Sequence, residues 1–116
     1  RFVSSLESPV HENFKGAIVN GSEQGTYILN KRAKPCIRAL KTDLTDKIYE
    51  EGQMDMSALS GIKDLYFGGD MNAAPALAGQ SIGLINKVLP VEQIIKQTIQ
   101  EFNSVCESLS NSKFEL

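Results

Sequence analysis

Apolar positions recur every three to four residues in four stretches of the chain, the spacing that lines one face of a helix. Val10, Phe14, Ala17 and Ile18 form the first set. Ser8 and Pro9 precede them and predict an N-cap and a first helical residue, and Asn20-Gly21 predicts the stop. Leu40, Leu44 and Ile48 form the second set, with Thr42 or Asp43 as cap and Glu51-Gly52 as end. Leu59, Ile62, Leu65 and Tyr66 form the third, capped by Ser57, weakened by Gly61 and stopped by Gly68-Gly69. The clearest follows Pro90: Val91, Ile94, Ile95, Thr98, Ile99, Phe102, Val105, Cys106 and Leu109 make one apolar stripe, with Glu92 in the first turn, where a carboxylate suits the helix dipole. Strand composition is confined to short runs. Thr26-Tyr27-Ile28-Leu29 is one. Cys36 to Leu40 reads equally as a strand or as the approach to a helix. The opening Arg1-Phe2-Val3-Ser4-Ser5 predicts the end of a short buried strand. From Ser110 onward the chain turns polar and is expected to fray.

Composition narrows the classes. The 116 residues suit one domain of ordinary size, with 41% hydrophobic and 22% charged residues. A net charge of −2 argues against a nucleic-acid partner, whose backbone demands a basic excess. No apolar run reaches the ~18–20 residues that cross a bilayer, so no membrane partner is expected. The first residues lack the charged-then-apolar order of a secretory leader, and a cytoplasmic location is expected. Cys36 and Cys106 have no metal-ligand spacing, and one histidine, His11, cannot complete a zinc site with them. No metal is expected, and the two thiols are expected reduced and mostly buried.

Candidate chemistry is sparse. The run Ala76-Leu77-Ala78-Gly79-Gln80-Ser81-Ile82-Gly83-Leu84 combines small residues with one amide. Glycine lets backbone N–H groups approach an anion or a flat ring, and a glutamine side chain both donates and accepts. A loop entering a helix explains the same residues. His11 reads as a helix-start residue, Glu7 as helix-entry electrostatics, Arg38 as half of an ion pair, Asp70 as a turn former and Lys31 to Lys34 as a solvated loop. A single histidine supports no Ser-His-Asp or Cys-His arrangement, and no catalytic residue is assigned.

The order of three motifs is more specific than any one of them. Arg1, Phe2, Glu7, Ser8, His11, Phe14 and Lys15 resemble the Gly-Thr-Arg-Phe, Glu-Ser, His and aromatic-Lys segment of the FMN-dependent family of nitronate monooxygenases (2-nitropropane dioxygenases) and type II enoyl-[acyl-carrier-protein] reductases. Ile37 to Thr45 resembles its Arg-x-(Leu/Ile)-Lys-Asn-x-Leu stretch, with Thr42 in the Asn position. Gly68 to Ile85 resembles its Gly-Asp, Ala-Gly-Gln and Gly-Leu segment, and a long amphipathic helix follows in both.

The resemblance implies an α/β fold: the C-terminal part of an FMN-binding TIM barrel, with its last strand and helix, beside a small, mostly helical domain. A barrel needs ~200 or more residues, so an N-terminal barrel portion is expected as the missing partner. Residues 1–20 would end the barrel, 21–79 form the small domain, 80–110 return to the barrel and 111–116 form a tail. FMN is the implied cofactor. Ala78, Gly79 and Gln80 would pack beside the flavin, with Arg1 and Phe2 toward its phosphate. The Gly-Thr that precedes Arg-Phe in the family is absent. His11 does not inherit the family's catalytic histidine, which lies in the expected N-terminal portion. The implied activity is oxidation of an alkyl nitronate by O₂. The alternative is NAD(P)H-dependent reduction of an enoyl thioester, whose relatives often carry Gly-Ser-x-Met-Ala-Gly-Gln; Ala74 to Gln80 lacks that Ser and Met. The resemblance leaves a homodimer open. A non-enzymatic helical interaction module, binding through the stripe of the last helix, is the reading from another class.

Overall fold

The computed structural model describes residues 1–113, so the last three residues of the expected polar tail lie outside it. Helix α1 spans Glu12–Val19, strands β1 and β2 span Thr26–Leu29 and Ile37–Leu40, α2 spans Asp43–Glu51, α3 spans Ile62–Tyr66 and α4 spans Val91–Ser110. Three 3₁₀ turns, at Phe2–Ser4, Met56–Leu59 and Gln80–Leu84, complete the elements.

β1 and β2 pair antiparallel in register Thr26 with Leu40 and Leu29 with Ile37. Alternation along β2 distributes its side chains: Ala39 and Leu40 are both buried, each in a different cluster. Leu40 joins Phe14, Ile18, Leu65, Ala74, Ala76 and Ile82. Ala39 joins Leu29, Ile48 and Met54 under α2. The Phe14 and Tyr66 rings meet edge to face at 4.9 Å, locking α1 to α3. The apolar faces expected of α1, α2 and α3 are the ones buried.

Three expectations are corrected. Residues 1–5 form a 3₁₀ turn rather than a strand end, with Phe2 57% exposed. An extended segment persists only when its backbone groups pair with a neighbour, and no strand among the described residues lies alongside it. The first helix starts at Glu12 with His11, not Ser8, as its cap: His11 Nδ1 accepts from the Asn13 N–H at 3.1 Å. Ser8 lies before the helix, where its backbone carbonyl accepts from Lys15 Nζ at 2.8 Å. Both cysteines are exposed rather than buried, Cys36 in the β1–β2 loop and Cys106 on the outer half of α4. They are free thiols.

The third helical stretch splits at Gly61, where an added Cβ would lie 2.1 Å from the Ala73 carbonyl oxygen. Asp55, rather than Ser57, caps the 3₁₀ half, its carboxylate accepting from the Ser57 N–H at 2.7 Å. Those hydrogen bonds hold the Asp55 carboxyl below the usual aspartate range. A closed barrel is absent from the described residues, whose sheet has two strands and one bridged edge segment.

A glycine corner at the sheet edge and its anchors

The segment Ala76 to Ala78 lies on the free edge of β2. The Leu40 N–H donates to the Ala76 carbonyl at 2.8 Å, and the Ala78 N–H donates to the Arg38 carbonyl at 3.3 Å. Ala39 and Leu77 form the bridge between these bonds. The Leu77 N–H donates to the Tyr66 hydroxyl at 3.3 Å. Pairing stops at Gly79, and the 3₁₀ turn Gln80–Leu84 begins, anchored by buried Ile82. Ala78, Gly79 and Gln80 therefore occupy a corner with both sides fixed.

Gly79 itself is exposed, and its φ of −92° is open to any residue. A Cβ built there would meet nothing closer than Ser81 Oγ at 3.8 Å. Neither packing nor backbone conformation within this chain requires glycine at 79, in contrast to Gly61. The Gln80 amide has no hydrogen-bond partner among the described residues and is exposed. An uncovered backbone next to a free amide fits a flat, hydrogen-bonding group, so the corner is compatible with a flavin edge.

Arg1 packs against α4. The Arg1 guanidinium approaches the Glu101 carboxylate on α4 at 3.4 Å. Arg1 borders a groove of about 730 Å³ between α4 and the segment leading into it, together with Leu84, Lys87, Ile94 and Glu101. Ala78, Gly79 and Gln80 do not border this groove. Arg1 is thus engaged with α4, while Ala78, Gly79 and Gln80 form the corner on the sheet edge.

Two motif residues, Glu7, read from the sequence as helix-entry electrostatics, and Lys15, prove to be anchors. Glu7 does not serve its own helix. Its carboxylate accepts from the Val91 N–H at 3.0 and 3.1 Å, capping α4 from 84 positions away. The Leu6 N–H donates to the Leu89 carbonyl at 3.0 Å beside it. Lys15 is buried, and its ammonium donates to the Leu6 and Ser8 carbonyls at 3.3 and 2.8 Å. A buried lysine must find such acceptors. The signal for Lys15 was its place beside Phe14 on an otherwise apolar helix face; nothing local marked Glu7 as a cap for α4.

The remaining candidates are structural. Asp70 accepts from the Asn72 N–H at 3.0 Å, the expected turn. Arg38 makes no ion pair among the described residues and donates instead to Thr26 Oγ1 at 2.9 Å. No group of acids, histidines or cysteines among the described residues could hold a metal ion. No described helix is long and apolar enough to cross a membrane.

The class this geometry defines is a mixed α/β unit with a glycine corner on its sheet edge and one long helix largely uncovered. Among solved structures, the unit is similar to FabK from Thermotoga maritima, with a TM-score of 0.84 and 31% identity, over 95% of this chain and 37% of that one. A methionine-to-alanine mutant of the same protein matches with a TM-score of 0.81 and 34% identity, over 95% and 34%. The chain thus spans about a third of the length of the structures it matches. No family model and no curated relative matches it.

Proposed function

We propose that this chain carries part of an FMN-dependent oxidoreductase of the nitronate monooxygenase and type II enoyl-[acyl-carrier-protein] reductase family. The observation that carries the reading is the FabK likeness across 95% of the chain at 31% identity, which coincides with the motif order in the sequence. FabK proteins are the type II enoyl reductases of that family, and this favours NAD(P)H-dependent reduction of an enoyl thioester. The second reading, oxidation of an alkyl nitronate, rests on Ala74 to Gln80, which lacks the Ser and Met of the reductase pattern.

On either reading the bound flavin supplies the electron transfer, and this chain's residues position it. Gly79 offers uncovered backbone, Gln80 offers a donor and an acceptor, and Ala78, tied to the Arg38 carbonyl, keeps the corner in place. Arg1 and Phe2 would serve the phosphate end. Completion of that site falls to an N-terminal barrel portion, and the substrate is a small nitronate or an enoyl thioester. The reading places the enzyme in the cytoplasm.

The test uses the whole protein reconstituted with FMN under anaerobic conditions, followed at the flavin band (about 450 nm in any host). Bleaching by NADH or NADPH supports the reductase. Bleaching by an alkyl nitronate alone supports the monooxygenase. A protein that retains no flavin overturns both. Gly79→Val should release flavin at least about tenfold more readily while leaving the fold intact, because a Cβ at this position meets only Ser81 Oγ, at 3.8 Å, among the described residues.

A further inference from the structure

The β1–β2 loop contains Lys31, Arg32 and Lys34, all exposed and none in an ion pair among the described residues. In a chain of net charge −2, three unpaired cations within four residues concentrate a local positive field. The loop also has internal order. Asn30 adopts φ 59°, and its side-chain amide donates to the Pro35 carbonyl at 2.9 Å. The Ala33 N–H donates to the Asn30 carbonyl at 3.1 Å. Lys31 Nζ lies 5.2 Å from the centre of the Tyr49 ring, which stacks on Tyr27 at 4.3 Å. Lys41 Nζ lies 4.9 Å from the Tyr27 ring and ends the stack. Such cation–ring contacts fix where a lysine stem runs.

Beside this loop is a groove of about 620 Å³ between β1 and the end of α2. Ile28, Ile48 and Tyr49 contribute its apolar surface, Lys31 and Arg32 one rim, and Glu51 the other. We propose that this groove and the loop form a docking site for an acidic, amphipathic protein segment, with carboxylates against the basic loop and an apolar side chain in the groove. Charge complementarity selects the occupant. Glu51 repels carboxylates from the far rim, so the acidic groups must lie along one side of the segment. A stacked nucleotide base is disfavoured, because Tyr27 and Lys31 already occupy the Tyr49 ring. The inference is independent of the flavin reading.

The test measures fluorescence anisotropy of a labelled amphipathic peptide, glutamates along one side and leucines along the other, on titration with the full chain. Saturable binding that weakens steeply with salt is expected. The triple variant Lys31→Ala, Arg32→Ala, Lys34→Ala should weaken it at least about tenfold with an unchanged circular dichroism spectrum. Bound peptide should also slow alkylation of Cys36, at the end of the loop, and leave Cys106 on α4 unaffected. Equal binding by the triple variant, or by a peptide with glutamines in place of glutamates, overturns the proposal. So does tighter binding of anionic lipid vesicles or of a polynucleotide at the same salt. Should the triple variant misfold, Tyr49→Ala serves in its place: a several-fold loss supports the proposal and no change overturns it. None of these readouts involves flavin, so their failure leaves the oxidoreductase reading intact.

Discussion

Tyr27 combines a strand position, an aromatic stack and a titratable group. The Asp46 carboxylate draws the Tyr27 phenol proton into a hydrogen bond and, helped by partial burial and nearby acids, raises its pKa above 10.0. A raised folded value means that the folded state holds the proton more tightly than the unfolded one. Its contribution is full below pH 10 and is lost as pH rises through the folded pKa. Wild type should therefore lose stability in that alkaline window more steeply than Tyr27→Phe, measured by urea denaturation across the pH series. Parallel curves for the two proteins would remove Asp46 from the account. At Gly79 the residue scale yields a different lesson: a glycine without an internal cause points outward, toward whatever approaches it.

Helix ends decide how the elements sit. Thr42 and Thr45 form a reciprocal capping box at the start of α2, and Thr45 Oγ1 also donates to the Leu40 carbonyl at 2.8 Å. One buried hydroxyl thus ties a helix start to the end of β2. Gly52, at φ 77°, closes the same helix in the left-handed conformation that glycine adopts without strain. α4 lacks such a local device, because Pro90 offers no side-chain acceptor. Glu7 supplies it through space, with a negative charge at the positive end of the helix. Glu7→Ala should reduce unfolding stability by about 1 kcal/mol, the usual value of a cap, read from thermal denaturation. It should also increase amide exchange in the first turn of α4. An unchanged exchange rate at Val91 would show that the contact is not maintained in solution.

At the scale of the molecule, α4 is the outlier. Ile94 is its one buried residue among the described positions, whereas Ile99, Phe102, Val105 and Leu109 are each more than half exposed. An apolar stripe of that length in water binds hydrophobic dyes and promotes association. Substituting Ile99→Lys and Phe102→Lys in this chain should reduce ANS fluorescence by roughly half and change stability by less than about 0.5 kcal/mol, the range of ordinary surface changes. A loss of 2 kcal/mol or more by the ordinary core-substitution scale would mean that the stripe is covered in solution.

Much local chemistry was legible in the sequence where a cause and its effect are neighbours in the chain, though Asp55 rather than Ser57 caps its turn. The 3.6-residue spacing of Phe14 and Ile18, the Gly52 stop and the β-forming run Thr26 to Leu29 each act within a few residues, and the structure selects Thr42 over Asp43 as the cap of α2. The corner at Ala78, Gly79 and Gln80 was legible as composition, because small residues beside an amide are visible without coordinates. Only the tertiary structure decided what depends on distant partners. Arg1 to Ser5 has strand composition but no strand beside it, so its backbone closes into a 3₁₀ turn instead. Ser8 has the chemistry of a cap, yet the helix starts only at Glu12 and His11 becomes the cap. Glu7 finds its role 84 residues away, and periodicity, which sees only neighbours along the chain, carries no information about such a pairing. The stripe of α4 marks the limit case: periodicity reveals an apolar face, and only three-dimensional packing reveals that the described chain leaves most of it bare.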